Sequence, residues 1–383
     1  MATQSSVRIS NQELMIEYLM KNGETSRAQL AKDLSISKPT VSLNAEKLLE
    51  RELLIETGEG LSSGGRKPTL LNFNYDHKII VAIDLNRNQP LIALSNLSGR
   101  LMFSTRLEMM VTESKPFLIQ RLTTAINELI ISHAYDMTSL GAISIAVPGV
   151  IDDVNDKIFA NPQDNLWTDL NLKKVLTEIY HVPVLMKNDI SMAALGVKHY
   201  GLGKDYDDLL YVSAGHGIGG GIILKGELLE GKRNFAGELG ITRLNGDKTL
   251  EEQISSSAIV ERIKADIKLG QVCKLSLDQP LTLKEIKTAI TAGDEYIIQV
   301  IKSSAKILGN AVANIALILD LEAIVVGGVL SEVGDLFITN IEDRVQQIVP
   351  FDVKVSTSNL GQEAGIYGLL VIGKSFILNQ LIE

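Results

Sequence analysis

One pattern occurs twice in this chain and restricts its architecture more than any other feature. "KIIVAIDLNRNQPLIALSNLSGRL", from Lys78, and "DLLYVSAGHGIGGGIILKGELLEG", from Asp208, each read as apolar strand, tight bend, apolar strand and polar turn, with few identities between them. Between the copies lie a helix-like stretch from Phe117 to His133, the apolar strand "LGAISIAVPG", a helix-like stretch from Leu172 to Tyr180, and the strand "VPVLMKND". After the second copy come "SSSAIVERIKADIKLG", a long helix around Ile297 to Leu319, the strand "EAIVVGG" and a closing helix from Ile366. Strands alternating with helices around a duplicated hairpin predict two α/β lobes facing a cleft. Clefts of that kind are where small ligands bind.

At 383 residues, with 45% hydrophobic and 22% charged residues, the chain has room for more than one core and an ordinary globular composition. Its 37 basic and 46 acidic residues give a net charge of −9, which argues against a chain given over wholly to nucleic acid. That charge is unevenly spread. Residues 1–72 are balanced, with nine Lys or Arg against nine Asp or Glu, so the deficit belongs to the body. Cys273 is the only cysteine, which excludes an internal disulfide and a thiolate-rich zinc site. No basic segment precedes an apolar leader, and no uninterrupted apolar stretch is long enough to span a bilayer. A cytoplasmic protein with no membrane partner is the expectation.

The first seventy residues carry the signs of three short helices. Ser10-x-x-Glu13 reads as a capping box before a helix whose Leu14, Met15, Tyr18 and Leu19 share a face, and Gly23 ends it. Ser26-x-x-Gln29 opens a second helix through Leu34, and Ser37 in "SISKPT" caps a third. On that third helix Val41, Ala45, Leu48 and Leu49 fall on one side, leaving Pro39, Thr40, Leu43 and Lys47 to look outward or sideways. Three such helices with a tight turn predict a helix-turn-helix, the last helix entering a major groove. "LLIETGEG" and "LSSGGRKPTLLNF" then read as two extended runs joined at a small-residue tip, a wing, in which Gly64 and Gly65 leave room beside a sugar-phosphate wall and Arg66 can reach the minor groove. A flexible basic linker is the alternative for this segment, and protein contact the alternative for the helices. Cations nevertheless sit where phosphate contact needs them: Arg27, Lys32, Lys38, Lys47, Arg66 and Lys67. The candidate DNA-contacting set is Arg27, Lys38, Pro39, Thr40, Ser42, Leu43, Lys47, Gly65, Arg66 and Lys67, the outward side chains of helix three selecting sequence.

Several short stretches in the body could do chemistry. "SAGHGIGGG" supplies Gly217, Gly219, Gly220 and Gly221, which would let backbone amides close on an anion, although hairpins and bulges use glycine too. "LMKND" puts Asn188 and Asp189 where a strand ends and a helix begins; Asp189 could accept a hydroxyl proton, or could simply cap the helix. "FAGELG" holds Glu238, and "LEEQISSS" holds Glu251 and Glu252, carboxylates suited to sugar hydroxyls or to ordinary turns.

Taken in order, "SIAVPGVID", "VLMKND", "GHGIGGGIIL", "FAGELG", "LEEQISSS", "IVVGG" and "AGIYG" resemble the ROK family of sugar kinases and sugar-responsive repressors. The resemblance spans the whole chain, because the repressor branch opens with a winged helix-turn-helix ending in a wing like Ser62 to Pro68 here. It implies a mainly α winged helix-turn-helix over residues 1–72 followed by a two-lobed α/β actin/hexokinase-like fold of ATPase type. The first lobe would take 78–189 with 366–383, and the second 190–365. It further implies a sugar pocket of Asn188, Asp189, Glu238 and Glu251, with the Pro148-Gly149 turn and Asn165 beside it and Asp189 at the position of the kinase base. Gly217 to Gly221 would match a phosphate loop, and Gly327 with Gly328 a nucleotide-facing turn.

Two departures from the family pattern narrow the expectation. Kinase members carry Asp-x-Gly-Gly-Thr at the first hairpin, whereas this chain reads Asp84, Leu85, Asn86, Arg87, Asn88. Phosphoryl transfer depends on cradling the γ-phosphate, so no catalytic residue, kinase activity or nucleotide cofactor is expected. Most members also follow Gly-Glu-x-Gly with a zinc-holding, sugar-contacting histidine and later cysteines; here Ile241 stands at that position and "NGDKTLEEQ" has no cysteine, so no metal is expected. The resulting expectation is a repressor acting as a homodimer, or a tetramer, on palindromic double-stranded operator DNA, with a sugar or sugar derivative as effector. A ROK sugar kinase with an appended DNA-binding domain, and a regulator whose body senses a partner protein, are the alternatives.

Overall fold

A computed structural model describes residues 11–60, 67–85, 89–108, 114–152, 157–159, 171–244 and 246–382. The N-terminal unit consists of α1 (Asn11–Asn22), β1 (Thr25–Ser26), α2 (Arg27–Asp33), α3 (Lys38–Glu50), β2 (Leu54–Glu59) and β3 (Thr69–Phe73). Its core side chains are Met15, Ile16, Leu19, Leu30, Val41, Ala45 and Leu48, so Ile16 rather than Leu14 completes the buried face of α1. Ser26 Oγ accepts from Gln29 N at 3.2 Å and Ser37 Oγ from Thr40 N at 3.3 Å, the two expected caps. The Gln29 side chain does not return to Ser26; its amide donates to Asp33 Oδ1 instead. The anticipated box at Ser10 and the tip at 61–66 lie outside the described residues. Strands β2 and β3 pair antiparallel, with β1 on the other edge of β3.

In the first lobe, β4 (Ile79–Asp84), β5 (Leu91–Asn96) and β6 (Phe103–Arg106) form an antiparallel run. After α4 (Lys115–Ser132), strand β7 (Leu140–Val147) joins β4 in parallel. Then follow the small hairpin β8 (Val150–Asp152) with β9 (Lys157–Phe159), α5 (Leu172–Tyr180), and β10 (Val184–Asn188) parallel to β7. Helix α6 (Asp189–Tyr200) leads to the second lobe.

There β11 (Leu209–Ala214), β12 (Ile218–Leu224) and β13 (Glu227–Leu228) repeat the antiparallel run. Helices α7 (Leu250–Ile254), α8 (Ser256–Lys268), α9 (Leu283–Thr291) and α10 (Glu295–Leu319) precede β14 (Ala323–Gly327), which is parallel to β11. Helix α11 (Asp335–Ile348), β15 (Lys354–Thr357) parallel to β14, and α12 (Ala364–Ile382) close the chain. The sheet orders β6-β5-β4-β7-β10 and β13-β12-β11-β14-β15 are the same topology, so the repeat read in the sequence is a repeat of sheets.

Alternation along the central strands decides what each sheet face covers. Ile79, Val81 and Ile83 face α4 and α5, whereas Ile80 and Ala82 share a core with α6 and α12. In β11, Leu209 and Tyr211 join that same central core while Leu210, Val212 and Ala214 face the helices of the second lobe. Helices α6 and α12 therefore fill the space between the lobes, and their backbones touch. A Cβ on Gly196 would stand 2.0 Å from Ala364 O, and one on Gly368 would stand 1.9 Å from Met192 O.

The central core also runs without a break into the N-terminal unit, through Leu71 and Phe73 to Leu19 and Leu48. The segment Gly361–Ile382 is long and apolar enough by length and composition to cross a bilayer, with a mean hydropathy of 1.4. Lys374 interrupts the run in the sequence, and in the fold the helix packs on α6, β4 and β7.

Gly368→Ala is expected to cost about 3 kcal/mol or more, since the obstacle is a backbone carbonyl and the helices must part. Urea denaturation measures it; a loss below about 1 kcal/mol would mean that the pair separates easily.

Candidate functional site

Ligands on open α/β sheets bind beyond the carboxyl ends of the parallel strands, and here both sheets direct those ends into one space. Asp84 ends β4, Pro148 and Gly149 follow β7, and Asn188 ends β10. From the second lobe come Gly215 to Gly217 after β11, Gly327 and Gly328 at β14, and Thr357 and Ser358 at β15. All of them line one cleft of about 1090 Å³. Of the expected sugar and phosphate sets, Gly149, Asn188, Asp189, Glu238, Glu251, Gly217, Gly327 and Gly328 meet there. Asn165 lies outside the described residues.

The helix cap expected as the ordinary role of Asp189 falls to its neighbour. Asn188 Oδ1 accepts from Ser191 N at 2.8 Å, and Asn188 Nδ2 donates to Gly149 O at 3.0 Å, tying the ends of β10 and β7 together. The Asp189 carboxyl, one residue into α6, accepts from Ile190 N at 2.9 Å and lines the cleft. Burial pushes its pKa up, the negative charge of Asp84 pushes the same way, the Ile190 amide opposes, and Glu238 adds to the rise, to about 7. A carboxyl balanced near neutrality can take or share a hydroxyl proton.

Glu238 follows Gly237, whose positive φ of 89° and contact with Gly220 O leave no room for a side chain. Burial, then the charge of Glu251, raises the Glu238 pKa. Glu251 Oε2 accepts from Ile218 N at 3.0 Å and closes the glycine turn. A Cβ on Gly217 would stand 2.7 Å from that oxygen, a packing reason for the glycine. Glu252 instead completes a capping box with Thr249 at the exposed start of α7.

Three expected loop glycines do not reach the cleft. Gly219, Gly220 and Gly221 lie within β12, where added Cβ atoms would meet Ile190, Leu239 and Ala194. Glycine is required there because α6 and the Gly237 turn press on the strand, so packing accounts for these residues. The expected obstruction at Asn86, Arg87 and Asn88 lies outside the described residues.

Sequence reasoning did not assign Asp84, Tyr211, Arg106, His216 or Phe235 to the site, yet all line the cleft. Tyr211 is buried, and its hydroxyl lies where a Cβ on Gly327 would fall. Burial, with the charges of Asp189 and Asp84, holds its phenol protonated. A tyrosine in "LLYVSA" looks like any core aromatic; only its place in the strand alternation gives a signal. Ile241 is 58% exposed and faces the cleft. Among the described residues no group of three or more His, Cys, Asp or Glu is placed to hold a metal ion.

At the other end of the molecule, Lys38, Pro39, Ser42, Leu43 and Lys47 form the exposed side of α3, and Thr40 is half-buried with its hydroxyl 2.7 Å from Ser37 Oγ. Arg27 is not a free cation: it pairs with Glu56 at 3.1 Å, as Lys67 does with Glu59 at 3.3 Å. Exposed pairs of this kind contribute little and exchange readily for phosphate. Gly65 and Arg66 lie outside the described residues.

Comparison with known proteins matches residues 80–375 to the ROK family. A xylose repressor from Caldicellulosiruptor bescii is 29% identical over 387 residues, covering 96% of each chain. The fold is similar to the crystal structure of a ROK family transcriptional regulator, a homolog of the Escherichia coli MLC protein, with a TM-score of 0.81, 24% identity and 98% of both chains covered. It is also similar to a ROK family glucokinase from Streptomyces griseus solved with glucose and AMPPNP, with a TM-score of 0.64 and 23% identity, covering 78% of this chain and 99% of that one.

Because the folded state holds the Asp189 proton more tightly than the unfolded chain, the stability this group contributes is present below about pH 4 and is lost as pH rises towards 7. Asp189→Asn, which cannot ionise, is expected to be more stable than the wild type at pH 8 by about 1–3 kcal/mol, the gap closing near pH 4. Denaturation at the two pH values measures this; an equal gap at both would mean a solvated carboxyl.

Proposed function

The chain belongs to the ROK family, and on that premise we propose that it is a sugar-responsive transcriptional repressor whose N-terminal unit is a winged helix-turn-helix. The observation that carries the reading is the physical continuity between cleft and N-terminal unit. Helix α12 begins at the cleft with Ala364 and Gly365, and near its end the Leu381 carbonyl accepts a hydrogen bond from Arg51, the residue that caps α3. Nineteen helical residues span about 28 Å, so one rigid element joins the two sites. Wedged against α6 by glycine contacts, it cannot shift at one end without shifting at the other.

In this reading α3 enters the major groove with its exposed side, and the β2–β3 hairpin lies along the flanking backbone. One such helix reads few base pairs; a homodimer on a palindromic operator supplies the second at fixed spacing. A sugar held by Asn188, Asp189 and Glu238 favours one arrangement of the lobes, and its differential affinity for that arrangement changes the separation of the paired α3 helices. Support comes from the repressor name of a relative similar over 96% of its length. Phosphoryl transfer is the second reading, drawn from the Asp189 pKa of about 7; ATP turnover with a sugar panel, lost in Asp189→Ala, would establish it in place of the pure regulator.

Lys38→Ala and Lys47→Ala are each expected to weaken operator binding and to reduce the slope of log affinity against log salt by about 1.8, as loss of one phosphate contact from each subunit of the dimer does. Gel-shift titrations between low and moderate salt measure this, and an unchanged slope would remove that lysine from the interface. Glu238→Gln is expected to raise the sugar concentration needed to alter operator binding by about tenfold, the loss of a charged hydrogen bond. An unchanged response in the same gel shift would exclude Glu238 from the pocket.

A further inference from the structure

The cleft has a water-exposed hydrocarbon wall that a bare polyol leaves uncovered. Phe235 is 47% exposed and Ile241 58% exposed, and they stand three residues to either side of Glu238. Both face the cleft, together with Val150 and Ile218.

The backbone that carries these two side chains is tied down on both sides of Glu238. Asn234 Nδ2 donates to Ile151 O at 2.9 Å and brings the Phe235 segment against β8. Lys187 pairs with Glu230 at 2.6 Å at the start of the same loop, and Gly220 N donates to Gly237 O at 2.7 Å. On the far side Leu239 is buried, and Gly240 packs so closely on Ile218 O that a Cβ would stand 2.2 Å from it. Thr242 N donates to Leu239 O at 3.0 Å and fixes the turn that carries Ile241. In this arrangement neither residue is folded into the core.

We propose that the effector is a glycoside with a hydrocarbon aglycone, alkyl or aryl, rather than a free monosaccharide; this rests on the sugar-effector reading above. Its ring hydroxyls meet Asn188, Asp189 and Glu238, and its aglycone covers Phe235 and Ile241. A free monosaccharide can stack one C–H face on an aromatic ring but sets hydroxyls against the remaining hydrocarbon, whereas an aglycone removes that surface from water. The cleft, at about 1090 Å³, has room for both halves of such a ligand.

Isothermal titration calorimetry on the full chain tests the assignment with D-xylose and D-glucose, each free and as its n-butyl and phenyl glycoside. The expected result is that one of the glycosides binds at least about tenfold tighter than its free sugar, with a more negative heat-capacity change. Phe235→Ala and Ile241→Ser should each remove most of that advantage. Free sugars binding as tightly as their glycosides, or an advantage that survives both substitutions, would overturn this proposal and leave the sugar-effector reading standing. Absence of binding by every sugar and glycoside would overturn both. Thermal melting confirms that each variant is folded, and either variant alone suffices if the other is not.

Discussion

The backbone contact between α6 and α12 is the constraint on which the rest of the molecule depends. Gly196 against Ala364 and Gly368 against Met192 bring two helices closer than any side chain permits. That closeness lets a single helical layer serve two sheets, one on each side, and so sets the distance across the cleft. It also fixes the first turn of α6, which presents Asp189, relative to the first turn of α12, where a Cβ on Gly365 would stand 2.8 Å from Asp84 Oδ2. Interior packing is too dense to deform gradually, so a helix pair locked in this way moves as a body.

The cleft electrostatics follow from that arrangement. The end of β4 and the first residue of α6 bring Asp84 and Asp189 together, while the second lobe brings Glu238 and Glu251. Carboxyl groups crowded into a poorly solvated space hold their protons more tightly, as Asp189 and Glu238 do. Sugar hydroxyls can donate to such groups without bringing further charge, which suits a pocket that binds and releases. The same crowding explains why the turn at Gly217 lacks a side chain: the space is filled by the Glu251 carboxylate that accepts from Ile218 N.

Much of the architecture was legible in the sequence because it rests on local, periodic chemistry. The caps at Ser26 and Ser37, the buried positions Val41, Ala45 and Leu48, and the duplicated strand pairs all carry their signal within a few residues. Glu251 and Asp189 were recognisable as cleft residues from the motifs around them. The glycines Gly219 to Gly221 misled, because a run of glycine announces that something comes close without saying what. A phosphate and the flank of α6 leave the same trace in a sequence. Tyr211 passed unnoticed for the opposite reason, since an aromatic residue in an apolar stretch looks like core, and Phe235, in the polar run "GKRNFAGE", looks like an ordinary loop residue.

By itself the sequence determined the elements, the repetition and the chemical types available for a site, since helix caps, strand alternation and glycine positions are properties of neighbours along the chain. Tertiary structure alone decided that Asp84 stands beside Asp189, that Arg27 is paired with Glu56, and that Phe235 and Ile241 stand in water in the same cleft. Each of these depends on which distant segment arrives at a given place, and the free energy of a buried carboxyl or an exposed hydrocarbon is set by that neighbour rather than by the residue itself.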